Sequence, residues 1–474
     1  MPFIIPANTL ASGGFEVANS VRMNRGSTDH FRRTNTTAET SNKIGTYSGW
    51  VKRSTITLDG MMFEGKDLDA NNYTQIYFQA TGKLTVYGSG SSDIVSTALF
   101  RDPTAWYHVC VAIDTTQGTA ANRVKIYVNG VQLTSLTNGN GDAAEYPDQN
   151  DVIYFAVNGD QQAIGIREDG ALLWNGYFSE VVYIDGAALA PTSFGEFDED
   201  SGIWKPIKVS GLTFGNNGCY LDFQDSSALG NVVAGRTSVD FTATNLTAVD
   251  QSTDTCTNNY ATLNPLNNFW AAVGLTVGNS VYTSNNSGDY YGVATSTIGV
   301  TKGKWYFEAK NSTNTNQGIL GVTSRTQTGR STWLGSTTQA YGYYSTGGVI
   351  RSNSQDTSYG ASYTANDIIG IYLDLDNNLM YVSDNGSLQN SGTGHSITAA
   401  ASTDSGFYYL AVGDNSDSTQ VWQCNFGGTS GFTISSAVTD DNGFGAFEYS
   451  PNITGDSVAK KFYALCSKNL AEFG

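Results

Sequence analysis

With 474 residues, the chain is long enough for two or three domains of roughly 100–250 residues, each burying its own core. Only 14% of residues are charged while aromatics hold at 12%, and with no heptads or long amphipathic helices this excludes a disordered or coiled-coil chain and points to an all-β fold. The net charge of -18 excludes a nucleic-acid phosphate backbone as the main partner, because such binding needs Lys and Arg to displace counterions.

Residues 1–17 read as an arm, punctuated by Pro2, Pro6 and Gly13-Gly14, that either packs on a neighbouring chain or frays. The opening MPFIIPANTL lacks a basic n-region, and no stretch approaches the ~20 apolar residues of a membrane span. Synthesis in the cytosol without an export signal, and no membrane insertion, are therefore expected. The cysteines Cys110, Cys219, Cys256, Cys424 and Cys466 are odd in number, far apart and without a CxxC pair, which offers neither a disulfide framework nor a zinc site.

From Ser20, short strands are separated by Gly, Asn, Asp and Ser clusters: SVRMNR, HFRRT, GTYSGWVKR, MMFEG, YTQIYFQA and KLTVYG. Basic residues concentrate here, in Arg22, Arg25, Arg32, Arg33, Lys52 and Arg53, and read as solvated strand faces, with a local basic face as the alternative. Residues 106–130 then form a hairpin. Val124, Ile126 and Val128 share one side of its second strand and Arg123, Lys125, Tyr127 and Asn129 the other, the period of a half-buried strand. Asn129-Gly130 ends it with residues that tolerate positive φ. DVIYFAVNG, QAIGIRE and GYFSEVVYIDG complete a domain over 18–195. The order SGWVKR, WYHVCVAID, VKIYVNGVQL, WNGYFSEVVYIDGAALAP resembles laminin-G-like domains of the concanavalin A-like lectin/glucanase superfamily. That resemblance implies two antiparallel sheets face to face, commonly a carbohydrate or protein binder and only sometimes an enzyme.

Residues 196–262 read as a partly structured connector draped over both domains, opening with the acidic GEFDEDSGIWKPI. A second domain spans 263–450 and a tail 451–474. In the domain GVTKGKWYFEAK, GILGVTSR, AYGYYSTGGVIRS, DIIGIYLDLDNNLMYVSDNG and FYYLAVGDNSDSTQVWQCNFG follow in series. This series resembles a SPRY domain, most specifically in LDLD…NG, and implies a second two-sheet sandwich that binds partners through loops at one end. The expected fold class is all-β: two antiparallel β-sandwich (jelly-roll) domains in series. The hairpins 106–130 and 367–386 look alike because any jelly-roll hairpin needs that pattern, not because the chain is duplicated. FYALCSKNLAEFG, TNNYATLNPL and the GIWKPI segment resemble parts of virion-associated proteins of tailed phages, marine ones especially, in which laminin-G-like and SPRY modules sit side by side.

Several constellations carry candidate chemistry. Glu196, Asp198 and Asp200 would share one face of a strand, as in the paired carboxylates of glucanases, but the flanking prolines and missing apolar positions favour a solvated acidic loop. Asp67, Asp69 and Asn71 have the first three spacings of a calcium loop, as do Asp374, Asp376 and Asn378, yet neither has the Gly and Glu that should follow. Calcium at Asp67, Asp69 and Asn71 stays open as a cofactor, because some laminin-G-like domains bind it at a rim, while the second turn reads as a hairpin closure. His108 and Cys110 share a strand face without a Ser or Asp partner and read as core, as do Trp50, Trp106 and Trp174. The polar stretch 333–359 holds the binding candidates Trp333, Tyr344, Arg351 and Tyr359, whereas Tyr341 and Tyr343 read as sandwich core.

The expectation is a non-enzymatic virion surface protein, a fibre, decoration or receptor-binding component that meets host glycan or other virion proteins and is homo-oligomeric in the particle. The alternatives are a glycan hydrolase on the first sandwich and a purely structural capsid or tail scaffold.

Overall fold

The computed structural model describes residues 14–68, 72–88, 92–233, 239–267, 273–284, 291–313, 317–325, 332–415, 419–454 and 460–474. It is 6% helix and 41% strand, so no helical layer is available and each sheet buries a face on another sheet or on loops. Among the described residues no helix is long and apolar enough to cross a membrane. The chain divides into two compact units, with the boundary after Thr257.

In the first unit one antiparallel sheet runs Val131–Gln132, Val124–Val128, Trp106–Asp114, Ile44–Arg53, Gly176–Asp185, Ser20–Met23, Gln251–Ser252, with Cys219–Leu221 also on Gly176–Asp185. The other runs Leu136–Thr137, Ser92–Ser96, Leu84–Gly88, Tyr73–Phe78, Gly60–Lys66, Gln161–Ile164, His30–Thr34, Thr242–Thr244. Val109, Val111 and Ile113 face Val128, Ile126 and Val124 across the hairpin, and all six are buried with Phe31, Phe63 and Phe178 in the main core. Each such side chain contributes roughly 1.5–3 kcal/mol of burial free energy. Asn129 and Gly130 close the strand at φ 48° and 76°, and a Cβ on Gly130 would lie 2.3 Å from the Trp204 ring.

The segment read as a connector is part of this sandwich up to Thr257. Cys219–Leu221, Thr242–Thr244 and Gln251–Ser252 pair with strands from the sandwich's own sheets. Phe194, Trp204, Val209 and Phe214 cover a sheet face that would otherwise be wet. Of the predicted arm, residues 1–13 lie outside the described residues, and Val17 is buried beside Cys256.

The covering segment also overturns the solvated reading of the basic residues. Lys52 and Asp254 meet at 2.7 Å with both side chains 1% exposed, and Arg22 meets Asp250 at 2.8 Å. Arg33 lies over Phe241 and donates to the Val239 and Asn217 carbonyls. Arg53 donates to the Phe100 carbonyl over Phe78, and burial lowers its pKa to about 10. Arg25 and Arg32 bind carbonyls of Asp59, Leu173, Arg167 and Glu168. Arg22, Arg33 and Lys52 take their anions or carbonyls from the covering segment, while Arg25, Arg32 and Arg53 take carbonyls from the sandwich's own loops.

Residues 151–159, predicted as a strand from DVIYFAVNG, are not one. Ile153, Phe155 and Ala156 are buried, but the carbonyls of Phe155, Ala156 and Val157 are taken by the side-chain amides of Asn35, Gln162 and Asn217. Alternating apolar residues here fill the core from a looped backbone. In Gly176–Asp185 the register slips between Ser179 and Val182, leaving Glu180 at φ 50°. This bulge breaks the alternation after Phe178, so that Val181 and not Glu180 enters the main core.

In the second unit the larger sheet runs Val273–Thr276, Val281–Ser284, Val421–Asn425, Lys304–Asn311, Ile368–Asp374, Leu379–Asp384, Ser387–Leu388. The smaller runs Val293–Thr295, Tyr409–Asp414, Gly318–Thr323, Ala340–Tyr344, Val349–Ser352, Gln355–Ser358. Trp305, Phe307, Leu320, Tyr343, Ile371 and Trp422 pack between them. The predicted tail belongs to this unit: Tyr463–Ala464 adds parallel to Lys304–Asn311, and Phe462, Ala464 and Cys466 cover Tyr306 and Tyr372. Glu308, on the same strand, is fully buried and accepts from the amides of Glu448 and Tyr449 at 2.7 and 3.2 Å, from Asn425 Nδ2 at 2.9 Å and from the Tyr306 hydroxyl at 3.0 Å.

Candidate functional site

The binding candidates of the second unit separate by strand parity. In Ala340–Tyr344, Tyr341 and Tyr343 point into the main core, while Ala340 and Tyr344 face the opposite side with Val293, Ile319, Leu334 and Ala411. Arg351 lies on the neighbouring strand, where it pairs with Gly342. A glycine fits there because the Ile319 side chain and the Leu334 carbonyl lie against it. The Arg351 guanidinium sits 3.7 Å from the centre of the Tyr344 ring, and Asp356 takes its Nε at 2.7 Å. The Tyr344 hydroxyl donates to Gln317, which fixes the ring beneath the guanidinium.

Trp333 packs on this same cluster, half-buried, with Tyr291 edge-on at 5.5 Å. Among the described residues its buried indole Nε1–H finds no hydrogen-bond partner. Three of the four candidates, Trp333, Tyr344 and Arg351, are thus brought to one outward face. Tyr359 is not: it is 6% exposed, packs with Tyr343 and His395 in the core, and donates to the Thr393 carbonyl at 2.9 Å. Its correction follows from the chain path, because Tyr359 lies past the edge strand Gln355–Ser358, where the backbone turns back into the sandwich. Tyr291, Gln317 and Asp356 were not singled out from the sequence; only their distance from the 333–359 stretch, or their ordinary polarity, hid them.

The other constellations are spent within the fold. Asp198 accepts from the Ser201 amide and hydroxyl at 2.9 and 2.8 Å and from Lys205 Nζ at 3.0 Å, and these bonds hold its carboxyl well below the usual range. Glu196 shares the same Lys205 at 3.4 Å, so both carboxylates tie the hairpin Gly195–Phe197 with Trp204–Pro206. Asp69 and Asn71 lie outside the described residues, and the Asp67 amide bonds the Asn72 carbonyl at 3.0 Å. Asp374 accepts from the Asn377 amide and side chain, and Asp376 from the Gly303 amide, so the second turn is closed by its own acids. Among the described residues no group of three or more His, Cys, Asp or Glu is placed to hold a metal ion.

His108 is fully buried. Trp204 Nε1–H donates to its Nδ1 at 3.0 Å, which leaves Nε2–H to meet Ser48 Oγ at 2.9 Å. Burial lowers its pKa to about 3, so the ring is neutral. Cys110 and the other four cysteines are buried thiols.

Comparison with known proteins covers both sandwiches. Residues 25–191 match the Laminin_G_3 model, described as the concanavalin A-like lectin/glucanases superfamily, and residues 304–429 match the SPRY domain model. A search of the curated proteins returns no match. Among solved structures, the SPRY domain of human HERC1 is 16% identical, covering 34% of this chain and 96% of its own, with a TM-score of 0.28. A heptameric SAP-like pentraxin from Limulus polyphemus is 18% identical over 37% of this chain and 80% of its own, with a TM-score of 0.27. A candidate carbohydrate-binding protein from Bacteroides ovatus is 14% identical over 48% of this chain and 58% of its own, with a TM-score of 0.32. The chain carries a concanavalin A-like domain followed in series by a SPRY domain, two sandwich folds that fit a binding role.

Proposed function

We propose that the chain is a non-enzymatic recognition protein that binds host-surface glycan through the outward face of its second sandwich, as a homo-oligomeric surface component of a tailed-phage virion. The observation that carries the glycan reading is the half-buried Trp333 ring, packed on the same cluster as a guanidinium that lies over Tyr344. A ring face takes the apolar side of a sugar, and the N–H donors take its oxygens. The non-enzymatic reading is supported by Lys205, which engages both Glu196 and Asp198. The virion setting rests on the resemblance of the 462–474, 257–266 and 202–207 segments to phage virion proteins, and partner virion proteins follow from it.

The test is a glycan array probed with the full chain and with Trp333→Ala and Arg351→Ala. Each substitution is expected to weaken binding about tenfold or more, the loss of one good stacking or charge-assisted contact. A silent array, or binding unchanged in both variants, sinks the glycan reading. Gold labelling of purified particles checks the virion setting, and unlabelled particles would refute it.

A further inference from the structure

Lys52 and Asp254 meet in a setting that allows more than a salt bridge. Lys52 lies on Ile44–Arg53, where it pairs with Tyr177 on one neighbouring strand and Trp106 on the other. Its Nζ reaches Asp254 Oδ2 at 2.7 Å, while Asp254 Oδ1 accepts the Trp106 indole N–H at 3.1 Å. The two carboxylate oxygens thus have different partners: one faces an amine and the other a neutral donor.

Both reacting groups are held in place by the fold. The Asp254 carbonyl accepts the Ser20 hydroxyl at 2.6 Å, its amide donates to Ser252 Oγ at 3.0 Å, and Gln251–Ser252 is paired with Ser20 and Val21. The Tyr177 ring lies 5.6 Å from Lys52 Nζ, and Tyr177 and Trp106 belong to one buried cluster with Val17, Trp50, Trp204 and Cys256.

In water an ammonium and a carboxylate do not condense, because both ions are hydrated and the solvent drives the reverse reaction. Here both side chains are 1% exposed, so that hydration is lost and the water that would hydrolyse an amide is excluded. The fixed contact also replaces a chance encounter, and well-oriented groups reach effective concentrations of about 10⁵–10⁸ M.

We infer that this pair condenses to an isopeptide bond between Lys52 Nζ and Asp254 Cγ, with the salt bridge as the state from which it forms. One ammonium proton passes to Oδ2 along the contact, leaving a neutral amine and a carboxylic acid. Nζ then bonds to Cγ, and the Trp106 N–H meets the negative charge that develops on Oδ1. A second nitrogen proton moves to Oδ2, the Cγ–Oδ2 bond breaks, and the products are a secondary amide and one water. No oxidant, reductant or cofactor enters the step. The bond joins the sheet to its covering segment across 202 residues of sequence, so the cover stays tied even when its strand pairing opens.

Intact-mass spectrometry of the full chain, with tandem sequencing of a digest, tests the bond. The chain is expected to weigh about 18 Da less than its sequence, one water, and to yield a branched peptide joining Lys52 to Asp254. Lys52→Arg keeps the cation without a nucleophilic amine and should restore the full mass. Asp254→Asn should form the same branched peptide with loss of ammonia, a deficit of about 17 Da from its own sequence. Trp106→Phe should slow the conversion about a hundredfold, the effect of losing one donor to a developing oxyanion. A parent chain of full mass, or a water deficit that persists in Lys52→Arg, overturns the bond, and a rate unchanged in Trp106→Phe removes the indole from the step.

Discussion

In the first unit Lys52 meets Asp254 at 2.7 Å with both side chains 1% exposed, whereas in the second unit Glu308 is buried among neutral donors from Asn425, Tyr306 and the amides of Glu448 and Tyr449. In both, a charge on an inner strand pins a segment that follows the sandwich's own strands in the sequence. The means differ: the first cover brings a counter-ion and the second brings hydrogen-bond donors. A buried ion pair broken on one side leaves an uncompensated charge, while a donor network that loses its acceptor leaves unsatisfied N–H groups, which cost less.

The largest expected effect is therefore at the ion pair. Lys52→Met should cost about 3–5 kcal/mol and open residues 251–257 to hydrogen exchange, and adding Asp254→Leu should recover only part of the loss, because both charges are then gone but the Trp106 indole N–H, 3.1 Å from Asp254, loses its acceptor. If Lys52→Met alone exchanges like the parent, the pair is not what holds the cover. Next comes Glu308→Gln, which turns an acceptor oxygen into an N–H facing another N–H. A cost of about 1–3 kcal/mol is expected, with faster exchange at the 448 and 449 amides and none added in the first unit.

A pH dependence sharpens the comparison further. Burial raises Glu308 to about 7 against its four donors, and raises Glu64 and Glu180 to about 7 in the first unit. A carboxyl whose folded pKa exceeds its unfolded value of about 4.3 holds more protons when folded, so its contribution is full below that value and is lost as pH rises through about 7. Melting of the parent should fall by several degrees between pH 5 and pH 8, on the scale of about 2–4 °C per kcal/mol. Glu308→Gln should flatten this fall, and an unchanged slope would remove Glu308 from the account. The smallest effect is expected at Tyr359→Phe, which deletes one hydrogen bond to Thr393 and should cost about 1 kcal/mol with no change in glycan binding. A binding loss there as large as in Trp333→Ala would return Tyr359 to the site.

The candidate surface was proposed from the sequence because aromatic and basic residues among Gly, Ser and Thr are common in recognition stretches. Trp333, Tyr344 and Arg351 were singled out this way and share one face, and parity along Ala340–Tyr344 separates Tyr344 from Tyr341 and Tyr343. Tyr359 was misread since composition does not say where a chain re-enters the core. Tyr291 was missed because it reaches Trp333 from a distant part of the sequence.

By itself the sequence determined the all-β class and the hairpins at 106–130 and 367–386, because period-two alternation and Asn-Gly turns are local properties of the chain, while the two sandwich families entered through resemblance. The tertiary structure alone decided which strand faces are covered twice, how Glu180 leaves the core through a bulge, and that Lys52 is an interior cation. The reason is distance along the chain: Asp254, which neutralises Lys52, lies 202 residues away, and no local pattern encodes a partner so far off.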